Sequence, residues 1–177
     1  ADTKPETRTD GNREATVKIG EVVAGDRLSM VVRGVEETTE LGEFQEADPG
    51  NVYQVVRLAV KNTTRNEFGE FSGFLQTTLK DGEGYNYSQT IAGTGQSLTG
   101  GQLAPGEVAR GDVVYEVPED ASGLTLQFDF DAFSFFDFER VVVNLAEEAD
   151  NIADLSQNLN VDVRTTGEAV SYADTSV

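Results

Sequence analysis

The sequence predicts an all-β sandwich. Short apolar stretches alternate with period two, and each is closed by Gly, Pro or Asn. The composition agrees: 18 Gly, one Met and no Trp, beside many Val, Thr and Phe, favour strands and turns over helices. At 177 residues the chain has material for one ordinary domain and a modest extension.

Residues 1–14, ADTKPETRTDGNRE, are polar and carry no apolar period, so they read as a leader or tether. Residues 16–19 alternate and stop at Gly20. Residues 28–32 form a second strand closed by Gly34, and an acidic connection with Pro49-Gly50 as its turn leads to Asn51. The stretch 53–60 has two apolar faces, Tyr53/Val55/Ala59 and Val56/Leu58/Val60, which predicts a strand at the centre of a sheet.

After the turn-like Asn62-Thr63-Thr64 come a strand over 74–79, a tight turn at Asp81-Gly82-Glu83-Gly84 and residues 85–87. A Gly/Thr/Ser-rich loop over 92–102 leads to GGQLAPGEVARGDVVYEVPED. There Val113, Tyr115 and Val117 alternate between the Pro105-Gly106 turn and Pro118, which cannot donate to a ladder. Residues 124–130 repeat the alternation and 140–144 add a last sandwich strand.

The C-terminal part has a different period. Asn144 to Glu147 resembles a helix-capping box, and Leu145, Ala149, Ile152, Leu155 and Leu159 recur at helical spacing with acids opposite. This predicts an amphipathic helix of about four turns, followed by a short strand through Val161 and Val163 and a polar tail. The expected organisation is a leader over 1–14, a sandwich over 15–144 and a helix-plus-strand extension over 145–177.

Gly50-Asn51 to Val60, Asn62-Thr63, Leu79-Lys80-Asp81-Gly82 with Tyr85, Leu103-Ala104-Pro105-Gly106, Gly111 to Pro118 and Gly123-Leu124 together resemble an immunoglobulin-like domain of unknown function. That family occurs in exported bacterial and archaeal proteins, many of them lipoproteins, and is similar in fold to a small secreted mycobacterial immunogenic antigen. The resemblance covers about residues 19 to 145 and implies an immunoglobulin-like antiparallel sandwich. It brings no catalytic residues with it.

Thirty-two acids against thirteen bases give a net charge of −19, which would repel nucleic acid and anionic membrane surfaces. Only four of the bases are lysines. An acid-rich, Lys-poor chain with regular strand periodicity is expected of a halophile, where molar salt shortens the Debye length to ~3 Å and screens carboxylate repulsion. No stretch reaches the ~18 apolar residues of a membrane helix. A chain beginning Ala1-Asp2-Thr3 fits an extracellular or cell-surface protein whose signal peptide, and with it a lipid-bearing residue, has been removed.

With no Cys and no His, the chain lacks thiolate metal ligands, disulfides, a cysteine nucleophile and the usual general base. The expectation is a protein that is not an enzyme and needs neither metal nor cofactor. Asp129 and Asp131 do not make a calcium loop, because Ser134 and Arg140 stand where its Gly and last acid belong. The Asp81/Glu83 turn reads as a solvated hairpin tip.

Three kinds of candidate site remain. Two sequons, at Asn62 and Asn86, fall on turns and mark glycosylation candidates. Six of the ten phenylalanines fall between residues 128 and 138, and Phe133, Phe135, Phe136 and Phe138 cannot all face one way in an extended chain, so they are candidates for a core bend or a protein contact. Leu145, Ile152, Leu155, Leu159, Val161 and Val163 are candidates for docking, on the same domain or on a neighbour.

The function expected is a non-enzymatic, exported or cell-surface interaction module of a halophile that contacts a protein partner or copies of itself. The alternative is a surface-anchored solute-binding protein with the Gly-rich 93–101 loop as the mouth of its pocket. The charge also makes a prediction. Near-UV circular dichroism and the melting temperature should both fall as salt is lowered from molar to low millimolar, and an unchanged spectrum and melting temperature would remove the halophile argument.

Overall fold

The computed structural model describes residues 14–24, 27–71, 77–91, 93–98, 100–129 and 140–159. The described residues contain strands and turns and no helix. In chain order the strands are β1 (Glu14–Ile19), β2 (Val23–Ala24), β3 (Leu28–Thr38), β4 (Glu40–Leu41), β5 (Gln45–Glu46), β6 (Asn51–Asn62) and β7 (Gly69–Phe71). They continue as β8 (Thr77–Lys80), β9 (Asn86–Tyr87), β10 (Gly101–Leu103), β11 (Val108–Pro118), β12 (Thr125–Asp129) and β13 (Arg140–Glu148).

Two sheets face each other across one core. One has the order β1-β13-β12-β8-β9 and the other β11-β6-β3-β2, with two-stranded β10-β7 and β4-β5 beside them. Alternation decides which residues meet: Val17, Leu79, Leu126, Phe128, Val141 and Val143 of the first sheet pack with Met30, Val32, Val56, Leu58, Val60, Val113 and Tyr115 of the second. Tyr115 is wholly buried, and its hydroxyl reaches the Thr77 hydroxyl of the opposite sheet at 2.6 Å. That bond satisfies a polar group which would otherwise cost about 1–3 kcal/mol to bury.

β6 lies between β3 and β11, as its two apolar faces predict, and both ladders are antiparallel. Two Pro-Gly turns position its neighbours. Asn51 N donates to Asp48 O at 2.9 Å across Pro49-Gly50, and Glu107 N donates to Ala104 O at 2.9 Å across Pro105-Gly106. In each the glycine has a positive φ, 88° at Gly50 and 81° at Gly106, which suits the third position of a type II turn.

Gly34 does not close β3. The ladder with β6 shifts register between Val32 and Gly34, so Arg33 is the additional residue of a β-bulge and β3 runs on to Thr38. The acidic connection after it contains the β4-β5 hairpin, whose Leu41 packs with Tyr53, Val55 and Val114 on the outer face of the four-stranded sheet.

The expected C-terminal helix is corrected. β13 continues to Glu148, pairing antiparallel with β12 and parallel with β1, and residues 149–159 follow as a non-helical strap. Asn144 still accepts a hydrogen bond from Ala146 N on its Oδ1, at 2.9 Å, as a cap would. Meanwhile Leu145 N bonds to Leu124 O, holding the chain against β12 instead of winding it into a turn. Pairing of Asn144 with Thr125 and Lys18 and of Glu148 with Ile19, together with the Leu145 bond, outweighs a local helical preference, which amounts to tenths of a kcal/mol per residue (roughly 0–0.7).

The strap lies over the outer face of the four-stranded sheet. Ala149 N bonds to Ile19 O, Ala153 N to Gly20 O and Asn158 N to Gly106 O. Leu155, 8% exposed, packs on Val31 and Ala59. Two glycines allow the close approach: a Cβ at Gly20 would come within 2.6 Å of Ile152 Cδ1, and one at Gly106 within 1.9 Å of Asn158 O. Gly106→Ala should therefore lower stability by at least the roughly 1–2 kcal/mol of a left-handed non-glycine residue and release the strap end. Amide exchange at Asn158 and Ala153 measures this, and unchanged protection would contradict the docking.

Candidate functional site

On the outer face of the four-stranded sheet the hairpin covers one end and the strap the other. Between them lies a depression of about 450 Å³ lined by Arg33, Arg57, Leu58, Gln96, Ser97, Arg110, Gly111 and Asp112. Three of the thirteen bases of a chain with net charge −19 converge there.

Strand register places each of them. Arg57 occupies the outer face of β6, directly opposite Asp112 on β11 and Gly34 on β3. Arg33, the additional residue of the bulge, lies beside that row, and Gly34 has no side chain to crowd it. Arg110 is one row along, opposite Ala59. The far wall is the loop after β9: Asp112 N donates to Gln96 O at 2.8 Å and Leu98 N to Asp112 O at 2.9 Å. A Cβ at Gly111 would sit 2.7 Å from both Gln96 O and Leu98 N, so this glycine lets the loop lie against β11.

The charges around the depression are partly matched. Arg57 pairs with Glu36, and Arg110 donates to Asp154 Oδ1 and to Leu155 O of the strap. Arg33 Nε stands 3.6 Å from the same Asp154 oxygen. Asp112 is buried, and its Oδ2 accepts from Thr94 Oγ1 at 2.7 Å. The three arginine side chains are 42–56% exposed, so each ion pair contributes about 0–1 kcal/mol. Buried Leu155, at roughly 1.5–3 kcal/mol, holds the strap more firmly than the charges do.

The sequence-predicted sites fare differently. Asn62 is a correction: it is 0% exposed, and its Nδ2 donates to Glu67 O at 2.7 Å and Leu103 O at 2.9 Å. Its Oδ1 accepts from Thr64 N and Thr64 Oγ1, so the amide a glycan would need is enclosed and fully engaged. Asn86 is exposed on β9, next to the hairpin turn.

In that turn Asp81 Oδ1 accepts from Glu83 N at 3.0 Å and Tyr85 N at 2.8 Å, and Oδ2 accepts from the Tyr87 hydroxyl at 2.8 Å. Burial opposes ionisation of Asp81, but these bonds outweigh it and its pKa is lowered. Burial, followed by Asp81, pushes the Tyr87 phenol up to about 12. This carboxylate organises a turn, and no group of His, Cys, Asp or Glu suited to a metal occurs among the described residues.

Phe133, Phe135, Phe136, Phe138, Val161 and Val163 lie outside the described residues. Leu145 is half-buried against the main core, while Ile152 and Leu159 stay largely at the surface of the strap. The apolar positions spaced as one helical stripe thus serve separate sites. Sequence reasoning missed Arg33, Arg57, Arg110 and Asp154. One signal was present: Arg57 falls on the otherwise apolar Tyr53/Val55/Ala59 face of a central strand.

Fold and site together define a β-sandwich domain with a polar, arginine-lined depression on an outer sheet face. The chain belongs to the family Domain of unknown function (DUF4352), which matches residues 17–136. Its fold is similar to that of the ycdA protein of Bacillus subtilis, a candidate lipoprotein, with a TM-score of 0.55 and 15% identity over 71% of this chain and 39% of that one. It is also similar to an uncharacterized β-sandwich protein of Clostridium difficile (TM-score 0.51, 20% identity, 79% of this chain and 99% of that one). A third is the secreted MPT63 protein of Mycobacterium tuberculosis (0.52, 15%, 74% and 97%). At these identities the likeness is one of fold. No curated protein sequence matches the chain.

Asp154 gives a pH prediction. The Arg110 hydrogen bond, then Leu155 N and the charges of Arg110 and Arg33, lower its pKa from 3.8 against the opposing effect of burial. A carboxylate whose folded pKa lies below its unfolded one stabilises the fold above the unfolded value and loses that contribution as pH falls through the folded one. Asp154→Asn should therefore melt below the wild type at pH 5, and the gap should narrow as pH drops below 3.8. A gap independent of pH would mean that the ion pairs do not hold the strap.

Proposed function

We propose that this chain is a non-enzymatic binding module of an exported or cell-surface protein, an immunoglobulin-like sandwich that works through the outer face of its four-stranded sheet. The observation that carries the reading is the convergence of Arg33, Arg57 and Arg110 on one open depression in a strongly acidic chain. Half-exposed, only partly matched arginines suit a contact surface, since arginine recurs where interfaces concentrate their binding energy. A candidate lipoprotein and a secreted protein among the similar folds support the exported address.

In this reading the module engages a protein partner or a second copy of itself, and nucleic acid is excluded by charge. The acid-rich, Lys-poor composition supports a halophilic setting, and exposed Asn86 is the sequon a surface glycan would use. A second reading has its own support. Gln96 and Ser97 of the loop expected to form a pocket mouth line the depression, and about 450 Å³ falls within the roughly 300–1,000 Å³ of small-molecule sites. That observation favours a surface-held solute-binding protein.

Native mass spectrometry of the protein from its own source, taken from molar salt, separates the two. Oligomers or a retained protein partner are expected for the binding module, whereas a monomer carrying a co-purified small molecule would favour solute binding. A bare monomer without either would overturn both.

A further inference from the structure

Resting on the reading of the outer sheet face as a contact surface, we propose that Arg33, Arg57 and Arg110 form a carboxylate-recognition site. The strap supplies the first argument: Asp154 brings a carboxylate to this place, where Arg110 holds it in a hydrogen bond and Arg33 approaches its Oδ1 at 3.6 Å. The protein thus carries an internal example of the group its arginines select.

The arginines also have spare donor capacity. A guanidinium has five N–H donors in a planar fork that matches a carboxylate. Among the described residues Arg33 uses its guanidinium only in that long ion pair, and Arg57 only toward Glu36. Both line the depression beside the Asp154 contact, so a second carboxylate can enter next to the first.

The pairing of Val32 with Leu58 sets Arg33 next to Arg57, and the β-bulge keeps both Arg33 and side-chain-free Gly34 facing Arg57; bulges are common at functional places. Asp112, the cross-strand neighbour of Arg57, is buried with one oxygen taken by Thr94 and gives the depression an acceptor beside its donors. The ligand class is therefore a carboxylate with a hydrogen-bond donor a few atoms away. A free small acid and an acidic side chain on an extended peptide both present that chemistry.

The test uses the full chain, labelled with nitrogen-15, at one fixed high salt concentration. The Nε–Hε resonances of arginine are followed while malate, or a blocked tetra-aspartate peptide, is added. Saturable shifts at Arg33 and Arg57 are expected with at least one probe, and none with malamide or a blocked tetra-asparagine peptide. A response to malate alone assigns the site to a free acid, and a response to the peptide alone assigns it to a protein segment.

The double variant R33Q/R57Q, with near-UV circular dichroism to verify its fold, should lose the response. If it does not fold, R57K takes its place, because it keeps the charge but not the fork, and binding about tenfold weaker is expected. Absence of saturable shifts, equal shifts with the amides, or undiminished binding in a folded variant would each overturn the site. If the arginine shifts fail these tests while native mass spectrometry of the wild type still finds oligomers or a partner, the binding-module reading stands and this site alone falls.

Discussion

Burial of β6 on both faces is the constraint on which the rest of the molecule depends. A strand whose residues 52–56 and 58–60 are all buried needs apolar material above and below it, as well as a partner at each edge. The five-stranded sheet covers the inner face. Among the described residues the cover of the outer face comes from two unrelated pieces: the β4-β5 hairpin over Tyr53 and Val55, and the 149–159 strap over Ala59. The depression is the gap these pieces leave, and Arg57 lies in it because it is the exposed residue between the two covered stretches of the strand.

A thin cover of loops must satisfy its own backbone, and a few side chains do that work. Asn62, at the end of β6, bonds through every polar atom it has: the amide to Glu67 O, Leu103 O and Thr64, the backbone to Glu107 O and Gly106 N. One residue thereby joins β6, the loop after it, β10 and the Pro105-Gly106 turn. Asp81 does the same for the hairpin between β8 and β9, where Tyr87 closes its second oxygen. Buried groups paired this fully specify a conformation, because leaving any one unpaired costs about 1–3 kcal/mol.

Charge acts at a different scale. Spread over the surface, −19 sets solubility and the sign of the partners the protein can approach, and salt screens it within a few ångströms (~3 Å at 1 M). Collected at one place, three arginines act by geometry as much as by sign, through the planar forks that three neighbouring strands bring together. This local basic patch is the reverse of what the composition implies, and it gives an acidic protein a surface able to hold acids.

The sequence by itself determined the all-β class, the central position of β6, the two Pro-Gly turns and the inward faces of β11 and β12, because period-two alternation and turn chemistry are local properties. Tertiary structure decided the course of residues 145–159. Leu145, Ile152, Leu155 and Leu159 fit a helical period, but the carbonyls of Leu124, Ile19, Gly20 and Gly106 and the Val31/Ala59 surface offered more burial and hydrogen bonding than an isolated helix. It likewise decided that Asn62 is a hub and not a glycan acceptor, since a sequon does not record what closes over it. The arginine site belongs to the same class: residues 33, 57, 110 and 154 are far apart in the chain, and only strand register and the return of the strap bring them to one face.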